Sequence, residues 1–244
     1  MMNESIHMTA TPDFPLALSM AVKALALVVP GLFAFALLRG SAKLRNDSGR
    51  KVIQLFSVAF LLWLIAGWGL SAKGALEVGG GTFPAFIRPV GLTVVFGLLL
   101  LFIPTWRRVV HQVPMQLLLG VEAIRIFGFI FLLLAQSGVV PESFGYQAAW
   151  GDMLVGWLSI AAIIIWITKR KYRVGFVIFA TIIGMADAAN ALRHVLESYP
   201  EYPVFGEFPF AVLFTSVIPL LLLSHLYVLF KVFFGPKDLT PVEA

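Results

Sequence analysis

The 244-residue chain contains no cysteine, which excludes disulfides, thiolate metal sites and cysteine nucleophiles together. It is also poor in charge. Asp, Glu, Lys and Arg make up 13% of the residues, against about 25% in soluble domains. A chain so short of charge cannot cover a folded surface with polar groups, so its outer surface must face a bilayer. The hydrophobic share of 59% and the mean hydropathy of +0.91 agree. No Lys or Arg precedes Lys23. The first apolar run therefore lacks the basic start of a cleavable signal peptide and is expected to stay in the mature protein.

Signatures of known chemistry are missing too. There is no H-E-x-x-H zinc spacing, no Walker loop and no G-x-S-x-G elbow. The Gly79 to Gly81 run is not followed by a helix bearing Lys-Ser/Thr and reads as a flexible connection. The last apolar run has no mid-span lysine for a retinal Schiff base, since Lys231 lies at its end. Of the four histidines, His7 and His111 fall outside apolar runs, and His194 and His225 differ in depth by roughly 20 Å at about 1.5 Å per residue. No metal or cofactor is expected. The formal charge of +5 lies in short connections rather than on one polar face, so no nucleic-acid partner is expected and the basic residues read as topology determinants.

Apolar runs of about 20 residues predict an all-α membrane protein, a seven-transmembrane-helix bundle. The spans are Pro15 to Leu38, Val52 to Ala72, Ala85 to Ile103, Met115 to Gln136, Ala149 to Thr168, Val174 to Leu196 and Phe208 to Phe234. Helices are required because lipid offers no partner to backbone amides, and the runs lack the alternation of barrel strands. Thirteen basic residues, among them Arg39, Lys43, Arg107, Arg108 and the KRKYR cluster, fall on one side; the other side holds Lys73 and a set of acids. The positive-inside rule then predicts the N-terminus outside and the C-terminus cytoplasmic. Residues 1–14 form an extracytoplasmic polar tail, 15–234 the membrane domain and 235–244 a cytoplasmic tail. Pro30 and Pro219 predict kinks in the first and seventh spans. Trp63, Trp68, Trp106, Trp150 and Trp157 fit interfacial belts.

Seven charges remain within or at the edges of spans: Lys23, Arg88, Glu122, Arg125, Asp152, Asp187 and Arg193, joined by His194 and His225. Each costs about 2.5 to 3.5 kcal/mol at a helix centre, so they should face the interior and find partners. Arg125 is expected near the midplane, Asp152 in the first outer turn of the fifth span, and Asp187 just outward of the middle of the sixth. At about 100° per residue, Asp187, Asn190 and His194 form one stripe, while Lys23 and Arg193 are expected to snorkel. Glu122 and Arg125 are an i, i+3 pair able to neutralise itself. Gly156 with Ser159, and Gly184 with Ala188, offer small-residue edges for close helix approach. For Asp152 a helix N-terminal acid is an equal alternative, and for Glu122 with Arg125 a structural pair is.

The stretch IPTW, VEAIRIFGFIFLLL and VVPESFGYQAAWGDMLVG resembles a group of uncharacterised bacterial polytopic inner-membrane proteins. The pattern places a proline at the start of a span, an arginine and a glycine mid-helix, and a Gly-Asp pair opening the next helix; here these are Pro104, Arg125, Gly128, Gly151 and Asp152. The resemblance implies a multi-pass protein of the bacterial inner membrane and no particular activity. The residues themselves point to a protein that binds or transports a small anionic or zwitterionic solute. Its site would comprise Arg88, Arg125, Asp152, Asp187, Asn190 and His194. The alternatives are a membrane enzyme acting on a lipid through Asp187 and His194, and a non-catalytic subunit or sensor with a structural charge network. Beyond the lipid bilayer and such a ligand, no partner is indicated.

Overall fold

The computed structural model describes residues 15–44, 47–73, 87–168, 171–199 and 201–235. The expected tails, except Gly235, and the Gly79 to Gly81 run lie outside them. The chain is all-helical, with no strand among the described residues: α1 (Leu16–Ala42), α2 (Asp47–Ala72), α3 (Arg88–Leu100), α4 (Pro104–Gln112), α5 (Met115–Ala123), α6 (Phe129–Gln136), α7 (Glu142–Thr168), α8 (Arg173–Ser198) and α9 (Ile218–Phe234). A 3-10 turn, Ile124–Gly128, joins α5 to α6 as one span, and a π-helical turn, Leu213–Val217, leads into α9. Among the described residues six helices are long and apolar enough to cross a membrane.

A seventh crossing depends on α3 and α4, which meet at 97°. With 13 residues, α3 spans about 20 Å at 1.5 Å per residue, short of the roughly 30 Å hydrocarbon core. Pro104 at the first turn of α4 stops the run, because its predecessor Ile103 is held extended at ψ 118°. α4 is amphipathic: Trp106, Val109 and Val110 are buried while Arg107 and Arg108 are exposed. Trp106 is not part of an interfacial belt. It is 1% exposed, and its indole Nε1 donates to Tyr227 Oη at 3.0 Å, whose hydroxyl donates on to Gly97 O at 3.0 Å. The ammonium of Lys231 caps the end of α4, donating to the carbonyls of Val110, His111 and Val113 at 3.1, 2.6 and 2.8 Å.

Pro30 leaves α1 continuous over 27 residues. Pro219 instead sits in the first turn of α9, directly after the π-helical turn, which takes up the mismatch that a proline imposes. The span closing with α6 ends in a Schellman motif: Gly138 N–H donates to Ala135 O and Val139 N–H to Leu134 O, with Gly138 at φ 69°. α7 packs along α8 on one side and along the α5 to α6 span on the other, while α9 packs against α3, α5 and α8. α1 covers α5, α9 and the π-helical turn. The outward faces carry large apolar side chains such as Leu55, Ile65, Trp157, Ile167 and Phe179, as a membrane protein requires.

Candidate functional site

The polar centre forms where the α5 to α6 span meets α7, α8 and α9. Glu122 is in the last turn of α5 and Arg125 in the 3-10 turn that follows. Three residues per turn stack positions i and i+3, so both side chains point the same way and Arg125 Nη1 lies 3.8 Å from Glu122 Oε2. Arg125 then reaches two further helices. Its Nε donates to Asp152 Oδ1 of α7 at 2.6 Å, its Nη2 donates to Asp187 Oδ2 of α8, and its Nη1 donates to Gly184 O at 3.4 Å. Glu122 is held from α9, with His225 Nε2 at 3.0 Å from Oε2 and Ser224 Oγ donating to Oε1.

Glycines make this convergence possible. A Cβ on Gly156 would strike the backbone of Ile126, and one on Gly128 would strike the Cβ of Asp152. The backbones of α7 and the 3-10 turn can approach only because both positions are bare. Likewise a Cβ on Gly151 would displace the Asp187 carboxylate, and one on Gly184 would enter the His225 ring. The glycines of α7, α8 and the 3-10 turn thus stand where a charged side chain or a neighbouring backbone needs room.

Burial sets the energetics. The side chains of Glu122, Arg125 and His225 are 1%, 5% and 2% exposed, and those of Asp152 and Asp187 19% and 13%. Three carboxylates surround one guanidinium, leaving two negative charges if His225 is neutral and one if it is protonated. An unpaired buried charge costs several kcal/mol. A proton or a positive group entering the cluster would therefore stabilise it. Among the described residues no set of three His, Asp or Glu side chains is grouped to hold a metal ion. Arg125 and Asp152 also form the polar wall of a cavity of about 100 Å³, otherwise lined by apolar residues including Phe127, Phe131, Phe210 and Phe214.

A family model described as a domain of unknown function, DUF8737, matches residues 82–233, more than half of the chain. The chain belongs to the DUF8737 family. Neither a curated protein nor a solved structure matches it. All five ionisable residues of the cluster, from Glu122 to His225, lie within the DUF8737 segment; α1 and α2 precede it.

Within the DUF8737 segment the six residues expected to share a site separate into three places. Arg125, Asp152 and Asp187 meet directly. Asn190 instead donates to Gln147 Oε1 at 3.2 Å and accepts from Arg193, while His194 Nδ1 faces Glu197 Oε2 at 3.6 Å. The stripe on α8 is real as an angular alignment, but successive turns meet different neighbours. Arg88, the first residue of α3, is exposed and joins neither group. Arg193, expected to snorkel, is held by Glu197 at 2.8 Å. Lys23 lies over the Phe208 ring, 5.0 Å from its centroid.

Asp152 lies farther into its helix than the sequence predicts. α7 starts at Glu142 rather than Ala149, so Asp152 lies ten residues in, about 15 Å along the axis, and a role as a helix N-terminal acid is excluded. The added turns are stable because Gly145 N–H bonds back to Pro141 O at 2.8 Å, Glu142 suits the positive helix end, and the Phe144 and Phe131 rings pack edge to face. Sequence reasoning left out Ser224, Gln147 and Gly151 as partners, and gave His225 no role beside Glu122.

Proposed function

We propose that this DUF8737 protein is a multi-pass protein of the bacterial inner membrane, with its N-terminus outside and its C-terminus in the cytoplasm. In this reading α3 with α4 completes seven passes, and the protein binds or transports a small anionic or zwitterionic solute at Arg125. The observation that carries this reading is the pairing of a 95% buried guanidinium with an excess of carboxylates beside a cavity. The Asp187 carboxylate occupies the Nη2 edge of Arg125 and so marks where an anionic group would sit. A proton drawn from solution onto Asp187 releases that edge, and the anionic group of the solute takes its place on Nη2. Binding and proton uptake are thereby coupled, and Asp152, still bonded to Nε, keeps the guanidinium in place.

The direct Arg125 to Asp187 contact also favours a second reading, a structural charge network in a non-catalytic subunit or sensor. An enzyme using Asp187 with His194 has less support, because Asp187 faces Arg125 and His194 faces Glu197.

The deciding experiment is calorimetry of the full chain in lipid nanodiscs against acetate, glycine, leucine and glycine betaine, run in two buffers of different ionisation enthalpy. The expected result is saturable binding of at least one of these with uptake of about one proton, and binding without uptake in Asp187→Asn. If none binds, and Asp187→Asn only lowers the melting temperature, the structural reading replaces the proposal.

A further inference from the structure

The cavity beside Arg125 restricts what the solute can be. Of the described residues that line it, Arg125 and Asp152 alone are charged, and they meet each other directly. The remaining wall comes from apolar side chains of α1, the α5 to α6 span, α7, α8, the π-helical turn and α9, Leu25, Leu192 and Leu221 among them. A ligand seated there has polar atoms at one end only. Any further polar group would be buried without a partner.

Volume sets the length of the apolar end. About 100 Å³ is available, less than the roughly 150 Å³ of an engineered cavity that takes up benzene. That leaves room for an aliphatic group of about four carbons, and none for a bicyclic ring.

Charge sets the head. Arg125 offers one positive partner, while Glu122, Asp152 and Asp187 together exceed it in negative charge. A simple anion would satisfy the guanidinium and leave the carboxylate excess as it stands. A head that carries an ammonium beside a carboxylate satisfies both: the carboxylate pairs with Arg125, and the ammonium with Asp152, the carboxylate that lines the cavity.

A second, larger cavity does not compete for this ligand. It measures about 410 Å³ and lies among α1, α2, α3, α4 and α9, but its lining holds no charged residue. Trp63 and Leu92, part of that lining, are 39% and 65% exposed on the outside of the bundle. Its described lining has nothing to hold an ionic head.

We infer that the DUF8737 site takes a small aliphatic amino acid, its carboxylate on Arg125, its ammonium on Asp152 and its side chain in the Phe127, Phe210 and Phe214 cavity. This rests on the solute-binding reading above, and it fails separately from it. Each methylene buried strengthens binding about fourfold, so the series from glycine through alanine and valine to leucine should tighten stepwise.

The test is calorimetry of the full chain in nanodiscs with glycine, alanine, valine, leucine, phenylalanine, isoamylamine and 4-methylpentanoate. Leucine should bind roughly tenfold or more tighter than glycine, and both the amine and the acid, each lacking half of the head, should bind at least about tenfold more weakly than leucine. Ala191→Leu, which fills the cavity, should abolish the advantage of leucine over glycine; Leu192→Ala, which enlarges it, should move the preference towards phenylalanine. Equal affinity for glycine and leucine with proton uptake intact would overturn the inference and leave solute binding standing, as would 4-methylpentanoate binding as well as leucine. No binding of any of the seven would overturn the inference, and silence of acetate and glycine betaine as well would overturn the solute-binding reading with it.

Discussion

Arg125 and Arg193 are two arginines that each hold a carboxylate, and they differ chiefly in depth. The Arg125 side chain is 5% exposed and paired to residues of two other helices, whereas that of Arg193 is 56% exposed and paired to Glu197 on its own helix. Both bonds look alike in distance, 2.6 Å to Asp152 and 2.8 Å to Glu197. Their energetic meaning is opposite. At the exposed site either partner can be solvated when the other is lost, so the pair matters little. At the buried site removing one partner strands the other, and the three carboxylates that surround Arg125 multiply that cost. The same interaction is ornament in one place and structure in the other, which is why function is sought at the first.

The sharpest way to break the contrast is Arg125→Gln. It leaves Glu122, Asp152 and Asp187 without a guanidinium, and a loss of about 3 to 5 kcal/mol is expected, read as a fall in melting temperature and in monodisperse yield after detergent extraction. Combining it with Asp187→Asn removes one stranded charge and should restore part of the loss. Recovery in the double variant identifies the pairing itself, since two independent defects would add.

Next in size is Gly156→Leu. Its Cβ would meet the backbone of Ile126 and Arg125, atoms that cannot turn aside as a side chain would. α7 and the 3-10 turn must separate, at a cost of about 1 to 3 kcal/mol, and the Arg125 to Asp152 bond lengthens with them. Gly69→Leu on α2, where a Cβ would meet open space, is the control and should melt as the wild type does. The two glycines share a sequence context of apolar helix and differ only in what stands opposite.

That contrast also measures how far the sequence could be read. Membrane class follows from composition at 13% charge, and the helical fold from apolar runs that lack the alternation of barrel strands, since lipid admits only helices or closed barrels. Arg125 and Asp187 stand out for the same reason: their depth makes them costly, so a partner was demanded before any was visible. The sequence puts Asp152 too near the start of its helix because ESFGYQAA is too polar for a hydropathy reading to include, although it continues α7 by tertiary packing of Phe144. The third span is shorter than its apolar run and turns at Pro104, a proline whose effect on direction a linear reading does not give. The pairing of Glu122 with Ser224 and His225 joins residues about a hundred positions apart. Only the packing of α5 on α9 brings them together, and no spacing rule foretells it. Gly156 and Gly184 were legible as small edges, but what each edge admits, a backbone in one case and an imidazole in the other, is a property of the neighbour.

The smallest expected effect is at the other arginine. Arg193→Ala removes bonds to Glu197 and Asn190 at 2.8 and 3.1 Å, yet stability should change by less than about 1 kcal/mol, since water replaces the guanidinium at both partners. Raising salt should shrink even that difference, as screening weakens exposed pairs and spares buried ones. Thermal melting of the wild type, Arg193→Ala and Arg125→Gln at two ionic strengths tests this directly. If Arg193→Ala destabilises as much as Arg125→Gln, the group formed by Asn190, Arg193, His194 and Glu197 is as much a part of the packed structure as the Arg125 cluster. The line drawn here by burial would then have to move to include it.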